Sequence, residues 1–236
     1  MRVFYPFLLL VMCLSLAAQE EPRDLEVRTL CFSYSSGLKE LSLAGDLEGK
    51  SQSEVQLKKY LGNEVLELTL LGDRLLVGKP GEEGFQAWET VAIPQSLREV
   101  LLVFFPNNDS KKPYRVMAFD DSAKAFPLGS FYLANRSSSS LRFIVGEEPY
   151  EVKPGKSKLL SEFKNKKANG QVSYYAYYQE GKDWRRLSTG FWTVVERKRT
   201  FQIAYENAKT GRLELRGYSD GFPAYKKLLQ EQEARK

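Results

Sequence analysis

The feature that most constrains this chain is its punctuation. Glycine and its turn-forming neighbours interrupt the apolar runs about every ten residues, leaving no room for a leucine-rich helix through the middle of the first half. There, EVQLKKYL, NEVLELTLL and RLLVGK are separated by Gly62-Asn63 and Gly72-Asp73, pairs that tolerate positive φ and suit hairpin turns. Leu66, Leu68 and Leu70 alternate with Glu67 and Thr69, which gives one apolar and one wet face. The three runs read as a three-strand meander. FQAWETVAIP, LREVLLVFF and YRVMAFDD continue the pattern after a PGEEG turn at residues 80–84.

The second half has the same rhythm. FYLAN, LRFIVG, YEVKPG, KSKLLSEF, QVSYYAYYQ, DWRRLSTGFWTVV, TFQIAYEN and GRLELRGY are divided by serine-rich, Pro-Gly, Asn-Gly, Glu-Gly and Thr-Gly signals. Between the halves, Asp120, Asp121 and Ser122 follow a strand, Pro127 stops a central strand from continuing, and Gly129 permits a turn. This stretch reads as a connector. The expectation is an all-β protein of two tandem Ig-like antiparallel β-sandwich domains, residues 19–125 and 126–222, with about seven strands each. Residues 223–236, with Pro223 in a first turn and Leu228 and Leu229 as main apolar content, read as a short helical cap or a frayed tail. One elongated sandwich or a closed barrel fits the same strand count.

The amino terminus carries a single early cation, Arg2, and then an apolar run from Phe7 to Leu16 that is short for a membrane span. Residues 1–18 read as a cleavable export signal. No later stretch is apolar enough to cross a bilayer as a helix, so the expected location is secreted or periplasmic. Cys13 leaves with the signal. Cys31 is then a lone thiol, either buried or an intermolecular cross-link, and its place in the alternating run LEVRTLCFSY favours burial. Charge divides sharply: residues 19–125 hold 13 Lys/Arg against 18 Asp/Glu, and residues 126–236 hold 21 against 12. The halves are suited to attract each other or different partners.

YRVMAFDDSAKAFPLGSFYLANRS, followed by LRFIVGEEPYEVKPGKSKLL, resembles segments of uncharacterised exported bacterial β-rich proteins over residues 114–160. In these a strand, a D-D-S connector, F-P-x-G-S and a later K-P-G-x-S recur in that order. The resemblance implies an exported β-rich family and transfers no functional residue.

The chain contains no histidine, which removes Ser-His-Asp and Cys-His catalysis, imidazole metal sites and the commonest neutral-pH base. One mature cysteine leaves no zinc cluster or iron–sulfur ligation, and no phosphate-cradling glycine motif opens a helix. No cofactor or metal is expected. S-x-x-K occurs at Ser36/Lys39 and Ser161/Lys164 and K-T-G at Lys209 to Gly211, but with 20 serines and 20 lysines chance supplies such matches. The pairs Asp120/Asp121, Glu82/Glu83 and Glu147/Glu148 are strand or turn neighbours, whereas glycoside hydrolysis needs two carboxyls facing each other. Two glycosylation acceptors, at Asn108 and Asn135, fall in loop-like stretches.

The best-founded site is a basic and aromatic set in the second half, with Tyr175, Tyr177, Trp184, Arg185, Arg186 and Trp192 as candidate ligand-binding residues. Around them Lys153, Lys156, Lys158, Lys164, Lys166, Lys167, Lys182, Arg197, Lys198 and Arg199 supply charge. Alternation puts Tyr174 and Tyr178 on one face and Tyr175 and Tyr177 on the other. The plainer account is that the rings pack the sandwich and the charges blunt edge strands. Together these readings favour an exported non-catalytic structural or interaction protein, acting through protein contacts in a bacterial envelope or extracellular assembly. A carbohydrate- or anionic-glycan-binding module is the alternative; nucleic acid is disfavoured by compartment, and a hydrolase stands last.

Overall fold

A computed structural model describes residues 21–82, 84–207 and 210–234. The export-signal segment, Cys13, Glu83 and Lys209 lie outside the described residues. The first half supplies β1 (Arg23–Cys31), β2 (Glu40–Ala44), β3 (Gln52–Gln56), β4 (Leu66–Leu70), β5 (Arg74–Gly81), β6 (Gly84–Ala92), β7 (Glu99–Asp109) and β8 (Lys112–Asp120). The second supplies β9 (Phe131–Arg136), β10 (Leu141–Val145), β11 (Glu148–Val152), β12 (Ser157–Leu160), β13 (Gln171–Glu180), β14 (Asp183–Thr193), β15 (Arg199–Glu206) and β16 (Leu213–Asp220), and helix α1 (Phe222–Glu233) follows. The described residues are all-β apart from that helix.

The strands form four sheets of four. In the first half these run β4-β1-β7-β8 and β3-β2-β5-β6; in the second, β12-β9-β15-β16 and β11-β10-β13-β14. Adding eight to every label of the first pair reproduces the second, so the two halves repeat one topology. The repeat extends to the single parallel pairing in each half, β1 with β7 and β9 with β15. Two of the four sheets are therefore mixed, while β3-β2-β5-β6 and β11-β10-β13-β14 are purely antiparallel, and each half has eight strands rather than about seven. A parallel pair needs a long crossover, and here four of the five intervening strands build the facing sheet while the fifth, β4 or β12, pairs on the other side of the opening strand.

The expected meander of the first half does not form. β3 pairs with β2, β4 with β1, and β5 with β2 and β6, so the three runs divide between two sheets. Gly72 does turn with φ of 82°, but the turn carries the chain across the sandwich instead of returning it to its neighbour. A turn residue specifies a reversal and is silent about which sheet receives the next strand.

Packing follows from alternation. Val27, Cys31, Val100, Leu102 and Phe104 point from β1 and β7 into a core shared with β3-β2-β5-β6. The residues between them, Leu30, Leu101 and Val103, point the other way into a second core with Phe201, Ile203 and Tyr205 of β15. A third core lies between the two sheets of the second half. The apolar run Val100 to Phe105 thus belongs to a strand covered on both faces, and the molecule is a stack of four sheets with three cores.

A group of four charges closes the middle layer. Arg28 donates to both carboxylate oxygens of Asp220 at 3.0 Å and to Asp121 at 3.2 Å. Arg199 donates from Nε to Asp220 at 2.9 Å and from Nη2 to Asp121, and its Nη1 reaches the carbonyls of Asp121 and Phe126 at 2.8 and 2.9 Å. All four residues are buried, Arg199 completely. Phe222 lies against Arg28 and Phe126 against Arg199, with ring centroids at 4.3 and 4.5 Å. The connector is thereby a fastened junction: Asp120 accepts the Ser122 amide at 3.0 Å while Asp121 turns inward. Asp220 also accepts the Phe222 amide at 2.9 Å, and Lys226 bonds Glu99 at 3.3 Å and Glu26, so α1 is a docked cap.

Two further expectations change or sharpen. Asn135 lies in β9 rather than a loop; it is fully buried and donates to the Ser139 and Val152 carbonyls at 2.8 Å, so the folded chain offers no glycosylation there. Cys31 is buried, donates to the Ser33 carbonyl at 3.3 Å, and has its thiol pushed up to about 11 by burial. In a chain lacking residues 1–18, we expect no reaction with a thiol reagent in the native state and one equivalent in urea.

The charge group sets a second expectation. Burial, with a contribution from Asp220, pushes Asp121 up to about 6 against the pull of Arg28 and Arg199. Burial acts the same way on Asp220, but the bonds and charge of Arg28, the Phe222 amide and Arg199 outweigh it and hold Asp220 below the usual range. Asp220 therefore contributes stability that is full above the ordinary carboxylate value of about 4 and fades as pH falls through its depressed folded value. Ionisation of Asp121 works oppositely, removing stability as pH rises from about 4 to about 6. Urea denaturation should show Asp220→Asn costing about 3–5 kcal/mol at neutral pH, with the gap narrowing in acid, and Asp121→Asn flattening the slope between those two values.

Candidate binding surface

The outer sheet β11-β10-β13-β14 has one buried and one open face. Leu141, Phe143 and Val145 of β10 and Val172 and Ala176 of β13 point into the third core, with Tyr174 and Tyr178 packed at its margin. The intervening residues face solvent. Register places Arg142 opposite Tyr177 and Ile144 opposite Tyr175, while Ser173 lies opposite Phe191.

A β-bulge completes this face. Between Ala176 and Tyr177 the register against β14 shifts, so that Ala176 faces Ser188 and Tyr177 faces Arg186. The extra residue, Leu187, packs against the core. Simple alternation from the buried Trp192 would send Arg186 and Trp184 inward; the bulge reverses the parity of β14 and brings both out beside Tyr175 and Tyr177. Tyr175 is 43% and Phe191 56% exposed. The Arg142 guanidinium lies 4.1 Å from the centroid of a Trp184 ring, and the Lys167 ammonium lies 4.6 Å from that of Phe191. Arg142 is also 3.9 Å from Glu151, an exposed pair that contributes little to stability.

Four of the six candidate residues, Tyr175, Tyr177, Trp184 and Arg186, thus converge on one open face. Two do not. Trp192 is only 6% exposed and stacks between Phe131 at 4.8 Å and Tyr174 at 4.5 Å, as a core residue. Arg185 lies opposite Tyr178, on the other side of the strand from Arg186, and bonds Glu180 at 3.1 Å. Among the surrounding cations, Arg199 belongs to the buried charge group and Lys164 pairs with Glu148. Arg142, Ile144 and Phe191 escaped the sequence reading because their relation to Tyr175 and Tyr177 exists only through cross-strand register.

The motifs that suggested chemistry lie elsewhere. Ser36 sits in a turn with φ of 47°, Asp121 is consumed by two arginines, and Glu148 is paired with Lys164. Among the described residues no group of three or more Cys, Asp or Glu side chains is placed to hold a metal ion. No protein-family model matches the chain, and no curated protein matches it.

The division between core and surface rings is measurable. Trp192→Ala should cost about 3–5 kcal/mol in chemical denaturation, as expected for a large ring removed from a packed core. Trp184→Ala should cost less than about 1 kcal/mol, because its ring lies on the open face.

Proposed function

We propose that this is an exported, non-catalytic binding protein that engages a protein partner in a bacterial envelope or extracellular assembly through the open face of β11-β10-β13-β14. The observation that supports it is the convergence of Tyr175, Tyr177, Trp184, Arg186, Arg142 and Phe191 on one side of one sheet. Aromatic and arginine side chains dominate the energetics of protein interfaces because they bury large area and lose little entropy per contact. Guanidinium and ammonium groups already lie over Trp184 and Phe191, so those two rings present a cationic surface, which suits an acidic partner.

The finer identity of each half is proposed as Ig-like. β3-β2-β5-β6 follows the order of C′-C-F-G, and β4-β1 that of E-B, in an immunoglobulin sandwich. The second half repeats both, and β7-β8 or β15-β16 extend the second sheet beside the parallel pair.

An anionic glycan is the second reading, favoured by the exposed ring of Tyr175 with Tyr177 two residues along the same face. Chemical crosslinking of the tagged protein in the cells that make it should yield one discrete partner. Tyr175→Ala and Arg186→Ala, with unchanged denaturation midpoints, should each weaken that complex about tenfold. Full affinity in both variants would refute the protein-contact reading. Salt-sensitive retention on an immobilised acidic polysaccharide, lost in the same variants, would transfer the face to the glycan reading.

A further inference from the structure

Between the two central sheets lies a cleft of about 720 Å³ whose walls include Phe32, Phe105, Arg115, Arg136, Tyr205 and Arg216. Its size suits a small organic molecule. Arg115 comes from β8 of one half, and Arg136 and Arg216 come from β9 and β16 of the other.

The charges here are unbalanced. Among the cleft's lining residues Glu206 is the one carboxylate; it accepts the Ser138 amide at 2.8 Å and the Ser138 hydroxyl, which hold it below the usual carboxylate range. Arg216 is fixed: it donates to the Phe32 carbonyl at 2.9 Å and the Tyr205 hydroxyl at 2.8 Å, with Glu214 at 3.8 Å, and lies over the rings of Phe32 and Tyr205. Among the described residues Arg136 has no carboxylate partner: its guanidinium lies 5.0 Å from the Phe119 ring centroid and donates once, to the Gly155 carbonyl at 3.2 Å, and its Nε is buried without a hydrogen-bond partner. The Arg115 guanidinium makes no hydrogen bond or ion pair among the described residues and sits near enough to Arg136 to disfavour its charge, adding to the larger effect of burial. Arg136 is a partly buried guanidinium without an ion-pair partner and with a second cation beside it, and an oxyanion offsets that cost by bidentate hydrogen bonding.

We propose that this cleft is a binding site for a small organic oxyanion, a carboxylate or phosphate held by Arg115 and Arg136 with its apolar body against Phe32 and Phe105. Arg216, already committed to protein partners, orients the aromatic wall. The site is separate from the open face of the outer sheet and does not depend on the function assigned to that face. Its ligand contacts both halves, so binding should also tie them together.

Calorimetric titration of the full chain with phenyl phosphate, phenylacetate and inorganic phosphate tests this. Saturable binding is expected for at least one of the two aromatic anions, more tightly than for inorganic phosphate, whereas phenol does not bind. Preference between phenyl phosphate and phenylacetate distinguishes the two oxyanions. Arg115→Gln, at an exposed position, and Arg136→Gln should each weaken binding at least tenfold. Arg186→Gln, on the outer sheet, should leave it unchanged. If neither aromatic anion saturates, if phenol binds equally well, or if Arg115→Gln binds as tightly as the parent, the site is not an oxyanion site. Should Arg136→Gln fail to fold, the Arg115→Gln result decides alone.

Discussion

The architecture depends on two sheets whose inner strands are covered on both faces. β1 and β7 carry apolar side chains on both sides, as does β15, so β4-β1-β7-β8 and β12-β9-β15-β16 each serve two cores. Neither sheet could be left against water without exposing the row Leu30, Leu101, Val103 or its counterpart Phe201, Ile203, Tyr205. At about 25 cal/mol for each Å² of apolar surface removed from water, that shared layer makes the two sandwiches one mechanical object. The open faces are correspondingly the outer ones, which is why an aromatic and cationic surface on β11-β10-β13-β14 can remain available to a partner.

The four-charge group sits at related positions of the repeat. Asp121 follows β8 with its amide bonded to the first residue of β7, and Asp220 ends β16 opposite the first residue of β15. The residues two positions before them, Phe119 and Tyr218, both enter the central core. The repeat is nevertheless unequal. Glu99 and Arg199 occupy the matching positions at the starts of β7 and β15, so one half contributes a second cation to the middle where the other contributes a carboxylate that receives Lys226 of the helix. Arg28 of the first half bonds Asp220 of the second, and Arg199 of the second bonds Asp121 of the first, so the group links the two halves directly.

Local features were legible in the sequence, and long-range ones were not. Glycine and proline spacing located the strands, because turn chemistry is carried by adjacent residues. The alternation of Leu66, Leu68 and Leu70 identified an inward face for the same reason. The sheet to which each strand belongs was hidden, since β4 and β5 are neighbours in sequence and part company in space. The run Val100 to Phe105 read only as one more strand, and a continuous apolar strand does not name what covers it. On the open face of the outer sheet, Tyr175 and Tyr177 were paired by alternation along one strand, whereas Trp192 was misplaced because β14 changes parity at Leu187 and Phe191 was missed because its place beside them is set by cross-strand register. The cleft arginines come from three strands spread over a hundred residues, and nothing in their local sequence distinguishes them from solvated charge.

The parallel pairs have a consequence for the order of assembly. Glu26 is in register with Glu99, and Phe131 with Thr200, so the opening strand of each half finds its central neighbour only after nearly the whole half has been made. Closing such distant contacts costs chain entropy before any packing energy is recovered, which slows folding relative to a protein built of hairpins. A nascent chain of this kind stays open until its seventh strand emerges, and its second half repeats the wait.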